Sequence, residues 1–248
     1  GSVRTFSVRE GSGIFLARCS IDGMTLEYSE GWPPAENLTA TAEFRNQGMS
    51  AHLSQAHVGE LALESADAHF PDFSNGELRI HASARGDASS ALAYLRATPL
   101  EELSDHAFSA FEARGLLQAT VDVFLPFKDF VRRQVLVHGR LNGATLKQPG
   151  SSVMATDLAG DFAVDNGQIA RADMHGQWLG GGFQMLARTA RNKPVTRTQL
   201  EFRGTMDAGA LRTALSIPAS VSFSGQTDWR AVLKIAPEPA RERSLRIS

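Results

Sequence analysis

The chain has 248 residues, and its 25 basic and 27 acidic side chains leave a net charge of −2. This balance excludes a strongly basic nucleic-acid-binding protein, because such a protein needs a positive field that releases counterions. Hydrophobic residues make up 42 % of the chain, which excludes an intrinsically disordered protein. No apolar run approaches the roughly 20 residues that a membrane-spanning helix needs.

Alternating apolar and polar residues dominate the chain and predict strands with one apolar face, because successive strand residues point to opposite sides of a sheet. Turn signals such as Asn75-Gly76 and Asn142-Gly143 separate the runs. The pattern predicts a mainly β protein with an antiparallel sheet of roughly ten or more strands. Apolar positions of the runs include Leu38, Ala40, Ala42 and Phe44; Leu78, Ile80, Ala82 and Ala84; Leu117, Ala119, Val121, Val123 and Leu125; and Trp229, Ala231, Leu233 and Ile235.

Two short helices interrupt the predicted strands. Asp87 is a suitable N-cap for a helix near 88–98, and Pro99 follows the end of that segment. Asp207 has the same relation to a helix near 208–216, which Pro218 follows. Both helices are too short to be stable alone, so we expect them to dock on the sheet.

An internal repeat of about 119 residues relates the two halves of the chain and predicts stacked units. The first unit spans 3–119 and the second 120–236, each with one of the two helices. The segment 237–248 is predicted to be a polar connector followed by the start of a further, truncated strand. The residues that match at this spacing are Leu92 and Leu211, Pro99 and Pro218, Gly48 and Gly167, and, at 120 residues, Asn37 and Asp157.

Few residues suggest chemistry. No histidine pairs with a cysteine or carboxylate at a zinc-like spacing. His52 and His57 are five positions apart, which predicts opposite faces of a regular strand. Gly180-Gly181-Gly182 lacks the lysine and the helix start of a phosphate-binding loop. The sequence therefore predicts no catalytic constellation, no metal site and no cofactor, and a protein that is not an enzyme.

The apolar face of the predicted sheet is larger than two short helices can cover. Ten strands at about 4.8 Å extend about 50 Å, whereas a helix of about ten residues is about 15 Å long. Two arrangements remain: two sheets closed as a sandwich, or one sheet curled into a trough with an uncovered apolar lining. The predicted lining residues are Leu38, Phe44, Leu78, Ile80, Val121, Val123, Leu125, Val135, Val137, Phe162, Val164, Phe183, Phe202 and Phe223.

The order of several short motifs resembles the YhdP-type AsmA-like proteins, which are relatives of TamB in Gram-negative bacteria. The likeness runs from about residue 14 to the end of the chain. The motifs that carry it are Gly31-Trp32-Pro33 followed by Asn37-Leu38-Thr39-Ala40; Gly86-Asp87 through Leu92-Ala93-Tyr94-Leu95 and Thr98-Pro99-Leu100; Val123-Phe124-Leu125-Pro126; and Trp178-Leu179-Gly180-Gly181-Gly182-Phe183.

This resemblance implies a repeating β-groove, a curved antiparallel sheet that forms an apolar trough in the periplasm. It implies a full-length protein that is anchored in the inner membrane and carries phospholipid acyl chains to the outer membrane. The implied partners are phospholipid, neighbouring segments of the same longer chain and envelope proteins, with no nucleic acid and no membrane-spanning segment in this stretch. The alternative is a structural β-rich scaffold or interaction module with a closed core and no lipid.

Overall fold

The computed structural model describes residues 14–103, 108–151, 154–192, 195–218, 220–221, 224–235 and 244–247. Thirteen strands form one antiparallel sheet in which each strand pairs with its neighbours in the sequence. This confirms the predicted antiparallel fold and decides against two packed sheets. The strands are β1 (Leu16–Leu26), β2 (Ala35–Arg45), β3 (Gly48–Val58), β4 (Leu61–Phe70), β5 (Glu77–Asp87), β6 (Glu112–Pro126), β7 (Gln134–Lys147), β8 (Met154–Asp165), β9 (Gln168–Trp178), β10 (Gly181–Asn192), β11 (Val195–Asp207), β12 (Gln226–Ile235) and β13 (Ser244–Ile247).

The helices are short and follow strand ends. Helix α1 (Ala88–Arg96) and helix α3 (Ala208–Ala214) are the two predicted helices, each with an earlier end than expected. Helix α2 (Leu100–Leu103) was not predicted, because four residues are too few to show a helical period. A single 3₁₀ turn (Phe130–Arg132) connects β6 to β7.

The strands are antiparallel, so the end of each strand and the start of the next lie at the same edge of the sheet, and these two edges are called rims. The helix-side rim contains the strand ends at Val58, Asp87 and Asp207, where α1 and α3 begin just beyond β5 and β11. The turn-side rim contains the opposite ends, such as Arg45 and Asp165, which are followed by tight turns. Because the strands run from one rim to the other, the rims border the two long sides of the sheet.

Asp87 joins α1 to the sheet. One carboxylate oxygen accepts hydrogen bonds from the backbone N–H of Ser89 (2.8 Å) and from the Ser89 hydroxyl (2.6 Å). The other oxygen accepts a bond from the Gly115 N–H of β6 (2.8 Å). Asp207 caps α3 through the Ala210 N–H (2.7 Å). These bonds satisfy N–H groups that have no partner within a helix or at an irregular strand position.

Removal of the Asp87 carboxylate is expected to destabilise the protein in a pH-dependent way. Hydrogen bonds from the Ser89 side chain, then from the Gly115 and Ser89 backbone, lower the pKa of Asp87. Its contribution is therefore complete above the unfolded-state pKa of about 3.9 and is lost as pH falls through the folded-state pKa. We expect Asp87→Ala to lower the free energy of unfolding by about 2 kcal/mol at pH 7.

Urea denaturation of wild type and Asp87→Ala at pH 7 and at pH 2.5 measures this difference. The matched control is Asp207→Ala, which removes the bond that caps α3 at the Ala210 N–H. We expect a loss of only about 1 kcal/mol for this variant. An Asp87→Ala loss that is no larger than the control's, or that does not become smaller between pH 7 and pH 2.5, would contradict this assignment.

Residues 120 positions apart share local geometry in the two halves. Asn46 (φ 52°) and Asn166 (φ 48°) both begin turns in the left-handed region. Asn46 exchanges hydrogen bonds with the backbone of Phe15 (2.9 and 3.0 Å), and Asn166 does so with Val135 (2.8 and 3.0 Å). On this basis we propose that β1–β6 with α1 and β7–β12 with α3 are the repeated units.

The boundaries 3–119 and 120–236 stay predictions. Residues 3–13 of the first unit and the connector at 237–243 lie outside the described residues. Beyond that connector, the alternation at Leu245 and Ile247 does form a strand, because β13 pairs with β12.

A line of β-bulges crosses the helix-side half of the sheet. Register shifts occur in β1 after Ile21, in β4 after Leu63, in β6 after Arg114 and in β7 after Leu141. Those in β2 and β8 adjoin Asn37 and Asp157, which have φ angles of 51° and 52°. Because a bulge bends its strand, aligned bulges make a crease along the sheet.

The same irregularity overturns one sequence prediction. His52 pairs with Thr41, and His57 pairs with Glu36, so both histidines lie on the polar face. The pair Thr39–Gln55 is followed by the pair Ala40–Leu53, so β3 contributes one more residue than β2 at Ser54. This extra residue reverses the alternation, so His57 does not lie opposite His52 as a regular strand would place it.

Candidate functional site

One face of the sheet is predominantly apolar, with Thr189 and Thr198 as a polar pair near the turn-side end of β10 and β11. The strand register aligns its side chains in rows that cross the strands. The longest row crosses eleven strands, from Ala56 of β3 to Leu245 of β13, and every residue in it is apolar or glycine. The row consists of Ala56, Leu63, Ala84, Ala119, Gly139, Phe162, Ala172, Ala187, Leu200, Leu233 and Leu245.

Two adjacent rows hold several of the predicted lining residues. The first runs Ala40, Leu53, Ala66, Ala82, Val121, Val137 and Val164. The second runs Ala42, Ala51, Ala68, Ile80, Val123 and Val135. A row of Met174, Met185, Phe202 and Ala231 continues the apolar face across β9–β12.

The predicted lining residues that the structure describes all lie on this apolar face. Phe162 belongs to the longest row, while Leu38, Phe44, Leu78, Leu125 and Phe183 flank the rows at either rim. Phe223 lies outside the described residues. The contact of these residues with lipid stays a prediction.

Across the strands and helices that the structure describes, no second layer covers most of the apolar face. Among the described residues no large side chain is fully buried, and the buried set consists mainly of alanines. A closed sandwich of this length would bury several leucine or phenylalanine side chains completely. The sheet therefore leaves its larger apolar side chains partly accessible.

The apolar face is concave. Trp178 of β9 and Trp229 of β12 lie three strand spacings apart, which is about 14 Å in a flat sheet, yet their ring centroids are 5.2 Å apart. Ala187 is 1 % exposed, and the side chains packed against its cluster all belong to strands of the sheet. Burial of this alanine by its own sheet is consistent with strands that bend toward the apolar side.

Glycines make room for the large side chains of this face. Gly139 lies opposite Phe162, and a Cβ added to the glycine would be 2.1 Å from the ring. Gly204 lies opposite Phe183, and its added Cβ would be 2.7 Å from the Phe183 Cα and 2.3 Å from the Gly182 carbonyl oxygen. At Gly204 the close atoms include backbone, so a larger residue would force the two strands apart, whereas at Gly139 the Phe162 ring would have to move.

Sequence analysis missed an aromatic cluster in the second half of the face. Trp229 contacts Trp178 (5.2 Å) as well as Phe183 and Phe202 (each 6.5 Å between ring centroids). Its indole N–H donates to the Thr205 carbonyl (3.2 Å). The alternation of Trp229 with Ala231 and Leu233 was the signal that placed it on the apolar face.

Helix α1 closes the helix-side rim in the first half. Tyr94 of α1 packs against a buried cluster that includes Leu38, Ala56 and Val58. Its ring also lies 6.1 Å from Trp32, and its hydroxyl group is 3.1 Å from that of Tyr28. Burial, with the Tyr28 hydrogen bond, raises the pKa of Tyr94, so the phenol stays neutral at any physiological pH.

Helix α3 does not close the second half in the same way. None of its described residues is buried, and Leu215 just beyond it is 63 % exposed. The packed cluster of this half consists of sheet residues, among them Met174, Ala187 and Leu200. The trough is therefore more open on the helix side of β7–β12 than of β1–β5.

The opposite face is polar and carries cross-strand pairs. His81 contacts Asp122 (2.7 Å), and Arg140 donates to both oxygens of Asp161 (2.6 and 3.1 Å). The Arg140 hydrogen bond lowers the pKa of Asp161. These side chains are well exposed, which is typical of a solvated outer surface.

A shallow cavity of about 800 Å³ is lined by polar-face residues such as His175, Gln184 and Arg203 and also by Phe183 and Trp229. In the part of the chain that the structure describes, no three His, Cys, Asp or Glu side chains are placed to hold a metal ion. None of the described helices is long and apolar enough to cross a membrane; α1, the longest, has 9 residues.

Comparison with known proteins assigns the family. The family model described as YhdP protein matches residues 1–248. The chain belongs to the YhdP family. It is similar to the intermembrane phospholipid transporter YhdP of Escherichia coli (strain K12), with 21 % identity over 230 residues that cover 92 % of this chain. The chain spans 18 % of the length of that relative. No solved structure matches this chain.

This result confirms the resemblance that the sequence motifs indicated. In this member of the YhdP family, the motif Trp178 to Phe183 places Trp178 and Phe183 on the apolar face, with the turn at Leu179-Gly180 between them. The motif at Gly86-Asp87 carries the α1 cap. The residues behind the likeness therefore form parts of the trough and of its helix-side rim.

Proposed function

We propose that this chain is a segment of a bridge-like lipid transport protein whose apolar trough carries phospholipid acyl chains between the inner and outer membranes. The observation that carries the proposal is the apolar face, which continues across eleven strands without a charged side chain in its longest row. Membership of the YhdP family and the name of the relative support lipid transport.

The physical basis is partial removal of acyl chains from water. Each buried methylene contributes about 0.8 kcal/mol, while an open trough leaves the headgroup in solvent. The apolar rows offer no polar group that would hold a lipid at one fixed point. Such a surface favours binding and sliding over tight capture at a single position.

The trough is long enough to hold several lipid molecules side by side along its length. Thirteen strands at about 4.8 Å per spacing give a path of about 58 Å. The acyl region of one membrane leaflet is about 15 Å thick. A continuous path of this length suits a conducting segment better than a pocket for one molecule.

The same proposal includes the setting and the partners. The segment acts in the periplasm, with neighbouring segments of a longer chain extending the trough at β1 and beyond β13. The proposed lining is the predicted set together with Trp178 and Trp229. No chemical step, metal or cofactor is part of the role.

Native mass spectrometry of the chain purified gently from a Gram-negative host tests the proposal, with lipid extraction from the same sample. We expect phospholipid adducts that disappear on organic extraction. A bare mass, with no lipid in the extract and no uptake of added phospholipid, would overturn the proposal. That outcome would favour a structural scaffold whose apolar face serves protein contacts alone.

A further inference from the structure

The helix-side rim is acidic along β1–β4, whereas Arg85 of β5 and Arg114 of β6 are exposed farther along it. From residue 19 to residue 78, Arg45 is the only lysine or arginine among ten carboxylates. The carboxylates on or next to the helix-side half of β1–β4 are Asp22, Glu27, Glu30, Glu36, Glu60 and Glu64. A phosphodiester that approached this rim would meet like charge in addition to the cover that α1 provides.

The turn-side rim has the opposite character where β6 connects to β7. Lys128 and Arg132 are exposed on this connection, and Asp129 lies between them in the sequence. The neighbouring acid Asp72 accepts the Ser74 N–H (2.7 Å), and hydrogen bonds from the Ser74 side chain and backbone, together with the nearby Lys128, lower the pKa of Asp72. Arg133 is also exposed on the connection, so three basic side chains face the two acids Asp72 and Asp129 at the open side of the trough.

The apolar lining continues over this rim as an aromatic ledge, formed by Phe70, Phe73 and Phe127. Phe70 belongs to the apolar face, since it pairs with Met49. Its ring stacks on Phe127 (5.9 Å between centroids) and contacts Phe73 (4.8 Å). Phe127 and Phe73 are 53 % and 47 % exposed, and nearby Val131 is 91 % exposed.

Exposed aromatic rings beside cations are typical of surfaces that meet the boundary between acyl chains and phosphates. We propose that a glycerophospholipid in the trough lies with its acyl chains on the apolar face and its phosphate at Lys128 and Arg132. The headgroup thus faces the turn-side rim and lies away from the acidic helix-side edge of β1–β4. This inference rests on the proposed function and adds to it an orientation and a phosphate subsite.

The test compares two lipids that share the same fluorescent acyl chain: phosphatidylglycerol, which carries the phosphate, and diacylglycerol, which lacks it. Binding of each to the 248-residue chain is titrated for wild type and for Lys128→Glu/Arg132→Glu. Reversal of two charges is expected to weaken phosphatidylglycerol binding about tenfold. The difference between variant and wild type is expected to be smaller at high salt, because salt screens exposed charges. Diacylglycerol binding is expected to stay unchanged.

The matched control is Arg85→Glu, which reverses one exposed charge on the polar face near the helix-side rim. It is expected to leave both affinities unchanged, and Lys128→Gln/Arg132→Gln is expected to give a smaller loss than reversal. Circular dichroism of each variant verifies the fold. Equal losses for both lipids in the Lys128→Glu/Arg132→Glu variant, or no loss for either, would overturn the phosphate subsite and leave the proposed function standing.

Two further measurements distinguish failure of the phosphate subsite from failure of the proposed function. If wild type binds neither lipid, the proposed function fails and takes this inference with it. Inorganic phosphate alone is titrated as a second probe. We expect that Lys128 and Arg132 do not bind free phosphate at millimolar concentrations. Tight phosphate binding there without lipid would overturn the assignment to a lipid headgroup.

Discussion

The Val121→Asp variant is expected to retain less than about one tenth of the phospholipid that wild type carries, while its fold is preserved. Val121 lies on the apolar face between Ala82 and Val137 and is partly accessible to solvent. A carboxylate there stays hydrated without lipid, so folding costs little. An acyl chain across the same position would bury the charge, which costs several kcal/mol. Lipid extraction, normalised to protein, measures the loss.

The control is the adjacent residue. Thr120→Asp introduces the same group on the polar face, between Ser83 and His138, and is expected to retain lipid as wild type does. Comparable lipid loss in both variants would show that the charge acts through the fold and would contradict the lining assignment. Full retention in Val121→Asp would contradict it as well.

The Gly204→Ala variant is expected to lose about 3 kcal/mol of unfolding free energy. The added Cβ would lie 2.3 Å from the Gly182 carbonyl oxygen, 2.7 Å from the Phe183 Cα and 2.8 Å from its Cβ. Two of these atoms are backbone, so β10 and β11 must separate or straighten to accommodate a single methyl group. Equilibrium denaturation in urea measures the change.

Gly182→Ala is the matched control, on the strand next to Gly204. Its added Cβ would meet nothing closer than 3.9 Å, so we expect a change within about 1 kcal/mol, with loss of backbone freedom in the unfolded state as the main effect. If Gly204→Ala were as stable as Gly182→Ala, the close approach of the two strands at the trough floor would be wrong.

Alternation in the sequence was sufficient to predict the strands and the apolar face. Ile80, Val123 and Val135 were each placed on that face separately, and the register aligns them in one row. Period-two patterns establish which side of a strand is apolar. They do not establish which strands are neighbours, so a single sheet and a sandwich remained equally compatible with the pattern.

The crease could not be predicted, because bulges break the regular period on which the prediction depends. At Ser54 an extra residue moved His57 to the same face as His52. Asn37 and Asp157 matched as sequence repeats, yet their shared role as left-handed bulge residues is visible only in the backbone. Asparagine and aspartate tolerate this conformation better than other non-glycine residues, which is the physical reason for the match.

The packing of α1 over the helix-side rim of the trough also could not be predicted from the sequence. The period of α1 indicated a helix that docks on the sheet, but the contact of Tyr94 with Trp32 and the Leu38 cluster joins segments far apart in the chain. The equivalent α3 has a similar cap and few contacts. The difference between the two halves depends on tertiary packing rather than on local propensity.

The most direct test of the open trough is photocrosslinking at two adjacent positions of β7. A benzophenone amino acid replaces either Val137, in the apolar row between Val121 and Val164, or His138, on the polar face. The chain is produced in a Gram-negative host, irradiated in the cells and analysed by mass spectrometry. An open lipid-binding trough predicts a phospholipid adduct at position 137 and none at position 138. No adduct at 137, or equal adducts at both positions, would show that the apolar face does not hold lipid.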